Sequence, residues 1–403
     1  MKKILFVMNT MGRAGAERAL VTFLNTLPIE EYEVSLLVLV NRGEMYDELP
    51  DHVRLLNKHP DSGSVLSFGG RLALIKTVLR CFFYHMKGFS LLFYLIANLR
   101  TQLKKHRLQP DKLCWRIIAQ GTPVPDQTYD LAVAYLEGGS TYFVANAVHA
   151  KKKAAFVHID YADAGYHKGL DLDSYSRIDR IFSVSKEACE SFCRIYPEYQ
   201  DKCFLFRNIL DTKQIRSRSL KNLVPNDPFI KSRARYKLLT VGRLNYQKAY
   251  DIAIPALRIL RDRGYDVDWF VLGEGSLKKE LCRQIDRENL TGHFVLLGSK
   301  ENPYPYYRLA DLYVHATRFE GKSIAIEEAQ ILRKAIVASD CTGNREQITD
   351  GISGRLIPLT ATAIANAVGA LLDSPETIHR FEQASQAVDL THPEDYPAFF
   401  ELL

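Results

Sequence analysis

Residues 310–340, ADLYVHATRFEGKSIAIEEAQILRKAIVASD, constrain the fold of this chain more than any other stretch. Leu312 to Ala316 is a short run with β-branched and aromatic residues and predicts a strand. Arg318 to Lys322 is polar and holds a glycine, as a tight loop does. Ser323 to Arg333 carries Ile324, Ile326, Ala329, Ile331 and Leu332 among Glu327, Glu328 and Gln330, which suits a helix. Ala335 to Ser339 is strand-like again. Strand, loop, helix and strand in that order make a βαβ unit, because parallel neighbours need a crossover. Sheets of this kind bind ligands at the carboxyl ends of their strands, where loops run into helix N-termini.

Two acidic residues bracket this corner. Glu320 lies in the loop, beside the backbone N–H groups of Gly321, Lys322 and Ser323, which are expected to be free for an anion. Glu328 lies about a turn and a half into the helix, where a carboxylate can accept hydrogen bonds from a pair of sugar hydroxyls. Of the adjacent Glu327 and Glu328, only one is expected to face inward. By itself such a pair most often marks a charged helix face, so the weight rests on similar corners elsewhere. Lys2 to Met8 is a strand, followed by the small-residue loop NTMGRAGA with Gly12 and Gly15 and then a helical run from Glu17 to Leu27. Leu131 to Leu136 leads to Gly138 and Gly139, and Lys153 to Val157 leads to His158 and Asp160. After a polar connection over Thr212 to Arg235, Tyr236 to Val241 opens a second series, with Gly242, Arg243 and Lys248 in its first loop. Trp269 to Leu272 precedes Gly273 and Gly275, and Phe294 to Leu297 precedes Gly298. The three-glycine dinucleotide fingerprint is not matched at the first corner, with Gly12 and Gly15.

Several of these motifs in order resemble the retaining nucleotide-sugar glycosyltransferases of family 4. Glu320 and Gly321 match the start of that family's Glu-Gly-Phe-Gly loop, Lys322 and Ser323 depart from it, and Glu328 has the motif spacing. Gly242, Arg243, Leu244 and Lys248 resemble its Gly-Arg-Leu…Lys-Gly, with Ala249 in place of the last glycine. Gly343, Glu346, Asp350, Gly351 and Gly354 follow its late turn. The resemblance implies an α/β chain of the GT-B fold: two Rossmann-like parallel-sheet domains facing across a deep crevice. Residues 1–209, joined by a returning tail over 386–403, would bind the acceptor, and residues 210–385 the nucleotide-sugar donor. It implies His158, Arg243, Lys248 and Glu320 in catalysis. Gly12, Gly15, Gly242, Gly273, Gly275, Gly321, Lys322, Ser323 and Glu328 would lie against the donor, and Asp160, Gly138 and Gly139 against the acceptor. The cations would do the work of a metal ion, so no cofactor and no metal are expected. The pairs Asp171 with Asp173 and Asp266 with Asp268 have the spacing of metal-dependent transferases, but lie at helix and strand edges.

Composition adds bounds. A hydrophobic share of 47% is ordinary for globular proteins, and 403 residues suggest two or three domains, two being the simplest split. Seven scattered cysteines predict reduced thiols and a cytoplasmic compartment; Cys189 and Cys193 lie one helical turn apart without a third ligand nearby in sequence. The amino terminus starts directly with a strand, so no signal peptide is expected, and no run has the length to span a bilayer. The net charge of +6 is modest, but Ser67 to Arg107 holds no Asp or Glu and eight Lys or Arg among many apolar residues. That segment reads as core helices or as an interfacial pair resting on an anionic membrane on the inner face of the cell. The lysine triplet at 151–153 suits a solvated face, and no nucleic-acid motif is present.

The expected reaction is transfer of a hexose or N-acetylhexosamine from a nucleotide diphosphate sugar, with uridine as the commoner carrier. The acceptor would be a glycan hydroxyl, on a polyprenyl-diphosphate-linked oligosaccharide of bacterial surface polysaccharide synthesis. The alternatives are an inverting GT-B transferase or epimerase, and a non-catalytic sugar or lipid-carrier binding subunit.

Overall fold

The computed structural model describes residues 1–65, 67–83, 91–104, 110–386, 390 and 392–403. The chain divides into two compact units, 1–209 with 392–403, and 210–391. The first holds seven strands: β1 (Lys2–Met8), β2 (Tyr32–Val38), β3 (Arg54–Leu55), β4 (Tyr129–Ala134), β5 (Ala150–Val157), β6 (Arg180–Ser183) and β7 (Cys203–Leu205). They lie in the order β3-β2-β1-β4-β5-β6-β7, and every pairing is parallel. The second holds β8 (Tyr236–Val241), β9 (Val267–Leu272), β10 (Phe294–Gly298), β11 (Leu312–His315), β12 (Ile336–Ser339) and β13 (Arg355–Ile357), in the order β10-β9-β8-β11-β12-β13. These pairings are also parallel.

Both sheets are covered on both faces, which is why their central strands read as unbroken apolar runs. In β1, Leu5 and Val7 face one core while Ile4, Phe6 and Met8 face another. All six residues of β9 are buried. In each sheet the strand order reverses once, between β1 and β4 and between β8 and β11. That reversal opens a gap at the strands' carboxyl ends, where ligands enter such sheets. The loops after β1, β4, β8 and β11 are the loops that carry Gly12, Gly138, Lys248 and Glu320.

Elements read from apolar pattern hold their places to within a few residues. The connection over 212–235 differs: it contains the helices Thr212–Ser219 and Pro228–Lys231. Each starts on an aspartate cap, Asp211 accepting the Gln214 N–H at 2.8 Å and Asp227 accepting the Phe229 N–H at 2.9 Å. The tail joins the first unit from His392, later than 386, because Phe381 of the helix Pro375–Gln386 is buried in the second unit's core. Arg207 clamps the tail through Asp395, at 2.7 Å from Nε and 2.7 Å from Nη2. Phe399 then packs between Phe23 and Phe6 beneath the first sheet, with ring centroids 5.0 and 6.5 Å away.

The acid-free segment supplies the helices Phe68–Phe83 and Leu92–Lys104. Tyr84, Lys87, Phe89, Lys105 and Arg107 lie outside the described residues. The first helix turns Leu74, Val78 and Cys81 toward the core and leaves Phe68, Leu72, Ile75, Leu79 and Phe83 exposed. The second is inverted relative to an ordinary surface helix. Its buried face includes Tyr94, Asn98 and Gln102, and its exposed face carries Leu92, Phe93, Ile96, Leu99 and Leu103. Tyr94 donates to the Leu170 carbonyl at 3.1 Å and Asn98 to the Gly169 carbonyl at 3.0 Å, so the inward polar groups are satisfied.

Candidate functional site

The switch point of the second sheet gathers three titratable side chains. Lys248, from the loop after β8, places its ammonium against a carboxylate oxygen of Glu320, from the loop after β11. The same ammonium lies 3.4 Å from Nε2 of His315, the last residue of β11. Tyr313 fixes the imidazole from the other side: its hydroxyl is 3.1 Å from His315 Nδ1 and 3.4 Å from the Val241 carbonyl. A hydroxyl that donates to the carbonyl accepts from Nδ1–H, leaving Nε2 as an acceptor facing the ammonium. Burial and the Lys248 charge hold the His315 pKa down at about 4, so the ring is neutral. Burial pushes the Glu320 carboxyl up, but the Lys248 charge outweighs it and sets its pKa at about 2. Gln247 closes the ring, donating to the other Glu320 oxygen at 3.2 Å and to the Phe319 carbonyl at 2.9 Å. His315 and Gln247 are the members that the sequence reading missed. The signal for His315 was the one used for His158, a histidine at the mouth of a strand.

The glycines here make room for backbone and for Lys248. A side chain at Gly242 would press on the Lys248 stem, 3.2 Å from its Cε. Gly273 and Gly275 lie under the β8 loop, where an added Cβ would stand 2.0 Å from the Gly242 oxygen and 2.2 Å from the Leu244 oxygen. Gly343 lies against the Glu320 loop in the same way: an added Cβ would stand 1.8 Å from the Gly321 oxygen. Ala249 is the exception. It sits in the left-handed region with φ 47°, which places strain on a side chain that glycine would not feel.

The helix Ile324–Ile331 corrects two expectations. The Ser323 N–H is not free: it donates to Gln347 Oε1 at 2.8 Å, while the Gln347 amide donates back to the Ser323 carbonyl at 2.9 Å. Glu327 and Glu328 are not alternatives, because this helix is buried nearly all round and both carboxylates are inside. Glu327 pairs with Lys322 at 2.8 Å, and Glu328 accepts from the Tyr307 hydroxyl at 3.0 Å. Arg243 is exposed, and its guanidinium has no partner among the described residues.

In the first unit, Gly138 and Gly139 start the helix Gly139–Asn146 at the end of β4. Gly138 has φ +82°, and a Cβ on Gly139 would meet Asn9 Oδ1 and Trp115 at 2.8 Å each. Asn9 ties the β1 and β4 loops together, donating to the Glu137 carbonyl at 3.1 Å and accepting the Ser140 N–H at 2.8 Å. Gly12 lies beside Glu17, and Gly15 is the first residue of the helix Gly15–Thr26. His158 follows β5 with its backbone N–H on the Glu137 carboxylate at 3.0 Å. Burial lowers its pKa to about 4 against a hydrogen bond to the Tyr135 backbone, and its buried Nε2 has no partner among the described residues. Asp160 is committed elsewhere: it accepts from the Ser191 hydroxyl at 2.5 Å and the Asp163 N–H at 3.0 Å.

The acidic pairs are likewise engaged. Asp171 accepts from the hydroxyls of Tyr142 and Tyr196 at 2.8 and 2.7 Å, and Asp173 pairs with Arg177. Asp266 accepts the Arg235 N–H, and Asp268 bonds His293 and Ser232.

Two outcomes follow from the local physics. Replacing Ala249 by glycine raises stability by up to about 1 kcal/mol, read as a higher denaturant midpoint, because relief of left-handed strain outweighs the added chain entropy. The Glu320 carboxyl is more acidic in the folded chain than in the unfolded one, so its contribution to stability is present above pH about 4.5 and is lost as pH falls toward about 2. Glu320→Gln is therefore less stable than the parent at neutral pH, and the gap between their denaturation midpoints closes over that acid window.

Residues 227–388 match the family model described as glycosyl transferases group 1. A protein of Campylobacter jejuni, N-acetylgalactosamine-N,N'-diacetylbacillosaminyl-diphospho-undecaprenol 4-alpha-N-acetylgalactosaminyltransferase, is 32% identical over 184 residues, covering 45% of this chain and 47% of that protein. The chain spans less than half the length of the curated relatives it first matches. Among solved structures, Anabaena HepE in complex with UDP superposes with a TM-score of 0.64 at 16% identity, covering 96% of this chain and 94% of that one. A variant of Staphylococcus aureus TarM, in complex with Fondaparinux, alpha-GlcNAc-glycerol and UDP, gives 0.67 at 12% identity, covering 100% and 99%. The chain has the GT-B fold, and over residues 227–388 it matches the model of the glycosyl transferases group 1.

Proposed function

We propose that the chain is a retaining glycosyltransferase that moves a hexose or N-acetylhexosamine from a UDP-sugar to a hydroxyl of a lipid-linked glycan. The Lys248–Glu320–His315 cluster carries this reading, since it stands at the switch point of the sheet in the glycosyl transferases group 1 unit. UDP is favoured as carrier because the HepE and TarM complexes hold it. The relative from C. jejuni is named for a diphospho-undecaprenol acceptor and an alpha linkage, and this supports a lipid-linked acceptor and retention.

In this reading the bond between the anomeric carbon and the outer phosphate breaks, and negative charge builds on the departing diphosphate. Lys248 and the exposed Arg243 are cations held on one loop to meet that charge, without a metal ion in the scheme. The acceptor oxygen attacks from the face that the phosphate leaves, and its proton passes to a phosphate oxygen. No enzymic nucleophile is needed. Once Lys248 turns to phosphate, Glu320 is free to accept hydrogen bonds from sugar hydroxyls. Glu328, oriented by Tyr307, is the ribose ligand. His158 offers a hydroxyl a neutral Nε2 that has no partner among the described residues.

The exposed apolar faces of Phe68–Phe83 and Leu92–Lys104 are the membrane contact in this reading. Arg71, Lys76, Arg80 and Arg100 are exposed on these helices, and neither helix contains an acid. Among the described residues no helix is long and apolar enough to cross a membrane. Apolar faces flanked by bases suit the surface of an anionic bilayer. Such a surface is where a polyprenyl-linked acceptor would be met.

Lys248→Met is expected to lower kcat by about 10²–10³-fold, the usual loss for one preorganised charge-stabilising donor. NMR of the product should show the donor's anomeric configuration; an inverted product would overturn retention. Mass spectrometry should find no covalent glycosyl adduct on Glu320. In flotation assays the full chain is expected to bind phosphatidylglycerol vesicles, less so at high salt. Replacing Ile75 and Leu99 together by aspartate should abolish that binding while leaving transfer to a soluble acceptor analogue unchanged. Retained vesicle binding in that variant would sink the membrane face.

A further inference from the structure

Cys189 and Cys193 sit one turn apart on the helix Lys186–Ile195, a spacing that puts both on one face. The third ligand that the sequence did not reveal is Cys203. It is the first residue of β7, which pairs with β6 at the edge of the first sheet, Cys203 opposite Ile181. The three Sγ atoms all lie within 4.8 Å of one another, and each residue is only partly buried. No step of the proposed transfer uses them.

We propose that Cys189, Cys193 and Cys203 form a three-thiolate site for one thiophilic d¹⁰ cation, with zinc(II) as the biologically abundant case. A Zn–S bond of about 2.3 Å sets neighbouring sulfurs of a tetrahedral site about 3.8 Å apart. Side-chain adjustments of less than about 1 Å close the present triangle to that size. The partial exposure of all three residues leaves a path for entry and a fourth position for water. On binding, three metal–sulfur bonds form and each thiol that is still protonated releases its proton to solvent; nothing is oxidised or reduced. The ion would tie the helix to the edge strand, and its binding free energy would add to the stability of that edge.

The test uses the full chain, reduced with a phosphine and stripped of metal. Titration with cobalt(II) should give thiolate-to-metal charge-transfer absorption that saturates at one equivalent, and zinc(II) should displace it. Alkylation followed by peptide mass spectrometry should find Cys189, Cys193 and Cys203 protected by zinc(II) and the exposed Cys282 unprotected. Cys203→Ser should lose the stoichiometric signal, and Cys282→Ser should keep it. Absence of the saturating signal in the parent chain, or its persistence in Cys203→Ser, would overturn the site. Should Cys203→Ser fail to fold, the protection pattern of the parent decides: protection of fewer than the three cysteines overturns the proposal.

Discussion

The second unit is arranged around one largely buried charge pair, Lys248 with Glu320. Each partner comes from a different strand end, and neither is stable inside without the other. His315 joins them without adding charge, because Tyr313 takes its Nδ1–H and leaves Nε2 to accept from the ammonium. A protonated imidazole there would put two cations against one carboxylate. The loops that carry the pair are laced together by their backbone. Thr317 and the Arg318 N–H both donate to the Gln247 carbonyl, at 3.0 and 2.8 Å. Arg318 then reaches across to Asp251 at 2.6 Å. These bonds hold two strand-end loops in the one register that lets the ammonium and carboxylate meet.

That register needs close backbone approach, and the glycines supply it. Gly242 clears the path of the Lys248 stem, while Gly273 and Gly275 lie under the loop's backbone. They are used by the protein's own chain, and a role toward a ligand is additional to that use. Ala249 does the work of a glycine at the turn into the helix Tyr250–Asp262, at the cost of left-handed strain on a buried residue.

What was legible in the sequence follows from range. The strands β1, β4, β8, β9 and β11 are local apolar runs, and a local pattern suffices to place them. The helices at Thr212–Ser219 and Pro228–Lys231 were missed because short polar helices have no apolar period; only their aspartate caps announce them. Contacts between distant segments leave no local trace. Nothing near Cys189 announces Cys203, and nothing near Ser323 announces that Gln347 occupies its N–H. The expectation that only one of Glu327 and Glu328 faces inward failed for a different reason. It assumed a helix with one wet face, whereas buried cations and hydroxyls let this one bury two adjacent carboxylates.

The departure at Lys322 bears on how charge is distributed at the corner. Its ammonium is buried against Glu327, so the two cancel, as Lys248 and Glu320 cancel, and as Arg318 and Asp251 cancel. Among the described residues of these loops, Arg243 is the cation left uncompensated. On the proposed function an arriving diphosphate is therefore drawn first to Arg243, and it reaches Lys248 only by competing with Glu320. On the proposed reading that competition links two events. The phosphate takes the ammonium, and the same step releases a carboxylate whose low pKa keeps it charged and ready to accept hydroxyl protons in hydrogen bonds. A nucleotide without its sugar would leave that carboxylate with Gln247 as its remaining donor, so on the proposed reading the pair itself favours the complete donor over the bare diphosphate.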